Sequence, residues 1–174
     1  VVVANADGTG ERSLSTTKLG DEIQIAPTVL IGPAWSPDGA TIACAVGIST
    51  PESEHQSIRG FDATTGAGKP LTDEHWQTLG RMEWLRDGSG LLVLAAEPGA
   101  ALAQQIWLVD RSGVARRMTN DLQDYRDLSL RNSAGIGIQT ERRANIWIAP
   151  VGREAEGRQV TSTNYDGLGG IGWF

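Results

Sequence analysis

The sequence predicts an all-β chain, a β-propeller segment built of four-stranded antiparallel blades, with about three full blades and a partial blade at each end. Three observations carry this reading. Trp35-Ser36-Pro37-Asp38-Gly39 and Trp84-Leu85-Arg86-Asp87-Gly88 are each followed by an apolar run. They lie about 50 residues apart, the length of one propeller blade. A second element, Ile106-Trp107-Leu108-Val109, recurs as Ile146-Trp147-Ile148-Ala149. A third, a short basic stretch closing on threonine, follows each of these: Arg117-Met118-Thr119 and Arg158-Gln159-Val160-Thr161.

In chain order, Val1 to Gly8 and Arg12-Ser13-Leu14-Ser15 read as two outer strands, ending near residue 17. A blade over 27–73 opens on the strand that ends in Trp35 and turns at Asp38-Gly39. It continues through Thr41-Ile42-Ala43-Cys44-Ala45, Ile58 to Gly66, and Lys69-Pro70-Leu71-Thr72. A blade over 76–120 repeats the plan, with its turn at Asp87-Gly88 and its second strand from Leu91. In both turns the aspartate side chain can bond the backbone two residues on and glycine tolerates positive φ, so Asp-Gly closes a tight hairpin. A blade over 123–162 carries a worn copy, Leu130-Arg131-Asn132-Ser133-Ala134; it lacks Asp-Gly, so its hairpin is expected to be distorted or displaced. Residues 165–174 supply one inner strand, ending Ile171-Gly172-Trp173-Phe174. Unbroken apolar runs such as Leu91 to Ala96 suit strands sandwiched between blades, and no segment holds a helical period.

Composition agrees and excludes some functions. The chain has 174 residues, 40% hydrophobic and 21% charged, with 22 Gly and 7 Pro, which suits a globular domain rich in turns. A net charge of −6 repels phosphate backbones and anionic membrane surfaces, so neither nucleic acid nor membrane is expected as a partner. Cys44 stands alone in an apolar run, so it reads as a small buried hydrophobe and excludes an internal disulfide. The longest uncharged run, Ile23 to Ser36, is broken by Pro27, Gly32 and Pro33 and does not span a membrane. Both ends read as cut from something longer.

Trp-Ser-Pro-Asp-Gly followed by an apolar strand, once whole at Trp35 and once nearly whole at Trp84, resembles the repeat of TolB-type propellers. Similar repeats occur in prolyl oligopeptidase propellers and in the sensor halves of bacterial Ser/Thr kinases and winged-helix regulators. The resemblance implies a non-catalytic bacterial sensor or binding segment that recognises a protein, peptide or small ligand, and leans towards a periplasmic or extracytoplasmic setting. The alternative it implies is the gating propeller of a prolyl oligopeptidase-like serine peptidase. The two chain ends together supply three strands rather than four. This favours an arc of a larger ring over a closed four-bladed ring, and an arc would expose blade edges open to self-association.

Gly167-Leu168-Gly169-Gly170-Ile171-Gly172 spells a dinucleotide fingerprint, but no helix can follow it in the two residues that remain. Gly66-Ala67-Gly68-Lys69-Pro70 fails as a phosphate loop because Pro70 replaces the Ser/Thr. A Gly-x-Ser-x-Gly elbow and the kinase His-Arg-Asp and Asp-Phe-Gly signatures are absent from the sequence. His55 and His75 lie in separate polar stretches, so no metal or cofactor is expected. Trp35, Trp84, Trp107, Trp147 and Trp173 are expected between blades, whereas Trp76, which precedes a strand beside His75 and Gln77, is expected on the face of the ring. Arg111, Arg116, Arg117 and Glu141-Arg142-Arg143 read as solvated turns. The stretch Asp121 to Asp127 resembles a loop at a propeller mouth, where ligands usually bind. The candidate ligand or partner site is therefore Trp76, Tyr125, Arg126 and Tyr165, with Asp38, Gly39, Asp87 and Gly88 as structural turns.

Overall fold

A computed structural model describes the chain except residues 17–22, 26–31, 52, 100–102, 122, 132–133, 142–143, 163–165 and 167–174; for 23–25 the backbone alone is described. It divides into two units, Val1–Gln139 and Thr140–Phe174. Among the described residues, every regular element of the first unit is a β-strand. The N-terminal hairpin pairs β1 (Val2–Val3) with β2 (Arg12–Ser13).

The first large sheet contains β3 (Ile23–Ile25), β4 (Ala34–Trp35), β5 (Thr41–Ser49), β6 (Glu54–Asp62) and β7 (Gly68–Pro70). Strands β5, β6 and β7 run as an antiparallel meander. The other edge of β5 is shared: β4 pairs with its first half and β3 with its second. The sheet thus takes in a strand ahead of residue 27, where the sequence had placed its start. The second sheet is an uninterrupted meander of β8 (Thr78–Trp84), β9 (Gly90–Ala96), β10 (Gln105–Asp110) and β11 (Ala115–Arg117). A third hairpin follows, β12 (Asp124–Arg131) with β13 (Ala134–Thr140). Asn132 and Ser133, the worn part of the third copy, lie outside the described residues.

The period of two along β5 explains how the sheets stack. Ala43 and Ala45 face the second sheet and join Ile58, Trp76, Leu79, Met82, Leu91, Val93 and Val109 in one core. Ile42 and Cys44 face the other way and join Phe61, Ala63, Val1, Val3 and Leu14 in a second core beneath the N-terminal hairpin. Both faces of β5 are therefore covered, which is why its sequence runs apolar without alternation. Strand β9 behaves alike: Leu91, Val93 and Ala95 belong to the core shared with the first sheet, while β12 packs against β8 and β9. Each large side chain buried this way contributes about 1.5–3 kcal/mol. These are blades of a propeller: antiparallel sheets, one of five strands and one of four, packed face to face.

Two of the tryptophans expected between blades are not there. Trp35 is 52% exposed, because it pairs with Ile42 on the face of β4 away from the second sheet and leans over the turn at Gly39. Its repeat counterpart Trp84 points into the seam and donates its indole N–H to the Ala34 carbonyl at 3.0 Å. In the second unit Trp147 is exposed; Trp173 lies outside the described residues.

In that second unit, β14 (Trp147–Ile148) pairs with β15 (Arg158–Gln159), with a single 3-10 turn, Glu154–Glu156, between them. The recurrent threonine has a structural use in both units. The Ile106 N–H donates to the Thr119 hydroxyl at 3.0 Å, and the Ile146 N–H donates to the Thr161 hydroxyl at 2.9 Å. Each hydroxyl takes up a strand N–H beyond the end of a short outer ladder. Among the described residues no helix is long and apolar enough to cross a membrane.

Candidate functional site

An antiparallel meander sends alternate turns to opposite ends of a blade. In the first unit the β4–β5, β6–β7, β8–β9 and β10–β11 turns share one end, and each is built on an aspartate. Asp38 and Asp87 form the same structure. The Gly39 N–H donates to the Ser36 carbonyl and the Gly88 N–H to the Leu85 carbonyl. Both glycines take positive φ, 72° and 65°. Asp38 Oδ1 accepts the Ser36 hydroxyl at 2.6 Å and the Ala40 N–H at 3.0 Å. Asp87 Oδ1 accepts the Ser89 hydroxyl at 2.7 Å and the Ser89 N–H at 2.9 Å. Asp62 and Asp110 hold their turns with bonds from Thr64 and Thr65, and from Ser112 and Val114.

Hydrogen bonds to a carboxylate favour its charged form. All four acids are accordingly held below 3.8: Asp38 by the Ser36 hydroxyl first, Asp62 by the Thr65 N–H, Asp87 by the Ser89 hydroxyl and Asp110 by the Ser112 hydroxyl. A carboxylate lowered on folding contributes stability above its unfolded value, and that stability is lost as pH falls through the folded value. Chemical denaturation midpoints should therefore hold steady down to about pH 4 and drop below it. Substituting Asp87→Asn should flatten this acid limb. An unchanged pH profile in that variant would refute the role of the turn carboxylate.

At this end, between the first and second sheets, lies a cleft of about 540 Å³. Its floor is apolar, from Leu71, Trp84, Leu91 and Val109. Its walls are the Asp38 and Asp87 turns, with Asp110 and Arg111 beside them, and Lys69 and Arg86 also line it. Arg111 lies exposed in its turn, as expected, but its charge is committed. Its guanidinium donates to the Gly88 carbonyl at 2.7 Å and to the Asp87 carbonyl at 3.0 Å, clamping one turn of the second sheet to the next. Its charge also helps lower both Asp38 and Asp87. Lys69 and Arg86 make no ion pair or side-chain hydrogen bond among the described residues, so their donors are open to a ligand.

The residues put forward as a ligand site do not converge on this cleft. Trp76 is 1% exposed, which rules out the ring-face position expected for it. It exchanges backbone hydrogen bonds with Gln56, at 2.8 and 2.9 Å, and meets the Trp107 ring edge-on at 6.0 Å. That pairing pulls the indole inward despite polar neighbours in sequence. Tyr125 and Arg126 open β12 at the other end of the blades. The Tyr125 hydroxyl donates to Asp121 at 2.8 Å, which raises its pKa. Arg126 is held by Asp124 at 2.6 Å, and Asp124 also accepts the Gln104 N–H. Tyr165 and the Gly167–Gly172 stretch lie outside the described residues. His55 and His75, far apart in sequence, come together with ring centroids 4.0 Å apart.

Sequence reasoning assigned the Asp-Gly turns to structure alone and missed Lys69, Arg86 and Arg111 as cleft residues. The usable signal was register: residues near the same turn of neighbouring repeats converge on one seam.

No family model matches the chain, and no curated protein matches it. Solved structures similar to it include TolB from Acinetobacter baumannii, at 26% identity and a TM-score of 0.49 over 69% of this chain and 26% of that one. They also include the β-propeller domain of the Trilobed protease from Pyrococcus furiosus, described as having an open velcro topology. There the identity is 15% and the TM-score 0.42, over 92% of this chain and 48% of that one. The chain thus spans about a quarter of the first structure's length and about half of the second's.

Proposed function

We propose that this propeller segment is a binding module, not a catalyst, and that it takes a peptide segment of a partner protein, or a small ligand of similar chemistry, in the cleft between its first two blades. The observation that carries this is the composition of the cleft. An apolar floor is ringed by ionised aspartates, a fixed Arg111 and two cations, Lys69 and Arg86, with uncommitted donors. Mixed charge around an apolar floor suits a peptide, which offers carbonyls, N–H groups and carboxylates along with apolar side chains. The aspartates are poor general bases or acids, because their carboxyls are held ionised below 3.8 by their own turns. From the repeat resemblance we infer a setting in the sensor half of a larger bacterial signalling protein, a Ser/Thr kinase or a winged-helix regulator.

The test is an amide NMR titration with a mixture of short acidic peptides. Shifts should concentrate at Asp38, Lys69, Asp87 and Arg111. The double substitution Lys69→Ala and Arg86→Ala should weaken binding about tenfold or more, because hydrogen bonds from charged donors are lost, while the melting temperature stays put. Shifts confined to Tyr125 and Arg126 would move the site to the opposite end of the blades and overturn this reading.

A further inference from the structure

The chain contains 2 histidines, and the first unit folds one against the other. His55 stands on β6 of the first sheet, and His75 stands in the segment that leads into β8 of the second. Gln56 and Trp76 form an isolated antiparallel bridge between these two segments. Both of its backbone bonds are made, at 2.8 and 2.9 Å. The Ser57 hydroxyl donates to the Glu74 carbonyl at 3.2 Å, and the Gln56 side-chain oxygen accepts the Leu79 N–H at 2.7 Å. Trp76, fully buried, ties the bridge to the core. The histidines flank this bridge diagonally, with ring centroids 4.0 Å apart and planes tilted by 38°. His75 is exposed and His55 half-buried, so the pair meets solvent from a braced base.

The geometry points to a site for a divalent transition-metal ion of the nickel and zinc class, at which His55 and His75 share one ion and water completes its coordination. Imidazole nitrogen suits such ions, whereas calcium and magnesium take oxygen ligands. Two nitrogens on one ion lie roughly 3 Å apart. Two accessible rings already in contact reach that spacing by a small change of side-chain torsion. The Ser53 hydroxyl oxygen lies 3.2 Å from His55 Nδ1. Accepting the Nδ1–H there sets the tautomer in which Nε2 holds the lone pair a metal needs. Desolvation, and then the charge of His75, hold the His55 pKa below 6.5, so His55 is a neutral ligand at neutral pH. Glu54, Asp73 and Glu74 adjoin the pair in sequence and lie exposed, and their charge attracts a cation. Among the described residues no third His, Cys, Asp or Glu completes a metal-binding group. The site is therefore bidentate and open, unlike a closed structural zinc centre.

Isothermal titration calorimetry of the whole untagged chain with Ni²⁺, and separately with Zn²⁺, at about pH 7.5 tests this, since imidazole is then neutral. One ion per chain is expected, at micromolar affinity, with no binding of Mg²⁺. His55→Gln and His75→Gln should each weaken binding about tenfold or more, because either leaves a single imidazole. Neither side chain belongs to the core, so circular dichroism should show the native fold in both variants. Acidification to about pH 5.5 should abolish binding, as protons displace the metal. Ring-proton NMR of the native chain is the independent arm. With 2 histidines and a buried Cys44, both sets of ring signals should broaden together as substoichiometric Ni²⁺ is added. Broadening of one ring alone overturns the inference, and so does an absence of binding at millimolar metal. An affinity that both variants leave unchanged, as for an ion held adventitiously by carboxylates, overturns it as well.

Discussion

Replacing Trp76 with alanine is expected to lower the unfolding free energy by about 3–5 kcal/mol, the range for a large aromatic removed from a core. Trp76 is among the largest fully buried side chains described, and it lies where β5, β6, β8 and β9 come together. The core it belongs to includes Ala43, Ala45 and Ala95, whose side chains are too short to reach into the void. Its loss also strips Trp107 of an edge-to-face partner worth about 0.5–1.5 kcal/mol beyond area. Trp76→Phe should retain part of that. Guanidinium titration followed by circular dichroism is the measurement. A Trp76→Ala midpoint equal to the native one, together with lost ligand binding, would restore Trp76 to the ring face where the sequence placed it.

Gly66→Ala should be the most damaging substitution of a single methyl. Gly66 closes the β6–β7 turn with φ of 74°, which costs a side-chain-bearing residue about 1–3 kcal/mol. A Cβ there would also clash with the Leu14 carbonyl oxygen, so the N-terminal hairpin must move. Displacing packed backbone adds about 1–3 kcal/mol more. The hairpin is held at this point by Arg12, which donates to the carbonyls of Ala63 and Thr64, and by Val1, Val3 and Leu14 in the core beneath it. Gly8→Ala is the control. Its φ of 83° incurs the backbone strain, but nothing lies within 4 Å of the added carbon. If Gly8→Ala and Gly66→Ala lose equal stability by thermal melting, the hairpin is not seated as described.

What was legible in the sequence was the local chemistry. Asp38-Gly39 and Asp87-Gly88 turn as they do because every bond they need comes from within a few residues. Unbroken apolar runs at Thr41 to Val46 and Leu91 to Ala96 announced strands covered on both faces. What depends on a neighbouring blade was not legible. Trp35 and Trp84 hold the same place in the repeat, yet only Trp84 has another sheet beside it. Trp76 looked exposed because His75 and Gln77 flank it, and only its bridge to Gln56, from another strand, draws it in. Arg111 read as a free charge because the carbonyls it binds, at Asp87 and Gly88, belong to a different hairpin.

Strands β5 and β9, each covered on both faces, give the first unit a one-dimensional energetics. A blade interacts only with the blade before it and the blade after it, so stability is a sum of each blade's own term and a term for each interface. Extending such a stack by one repeat adds one interface and leaves one face bare, whatever its length. Cooperative melting is then a property of neighbours, and a weakened seam divides the array into halves that unfold at different temperatures.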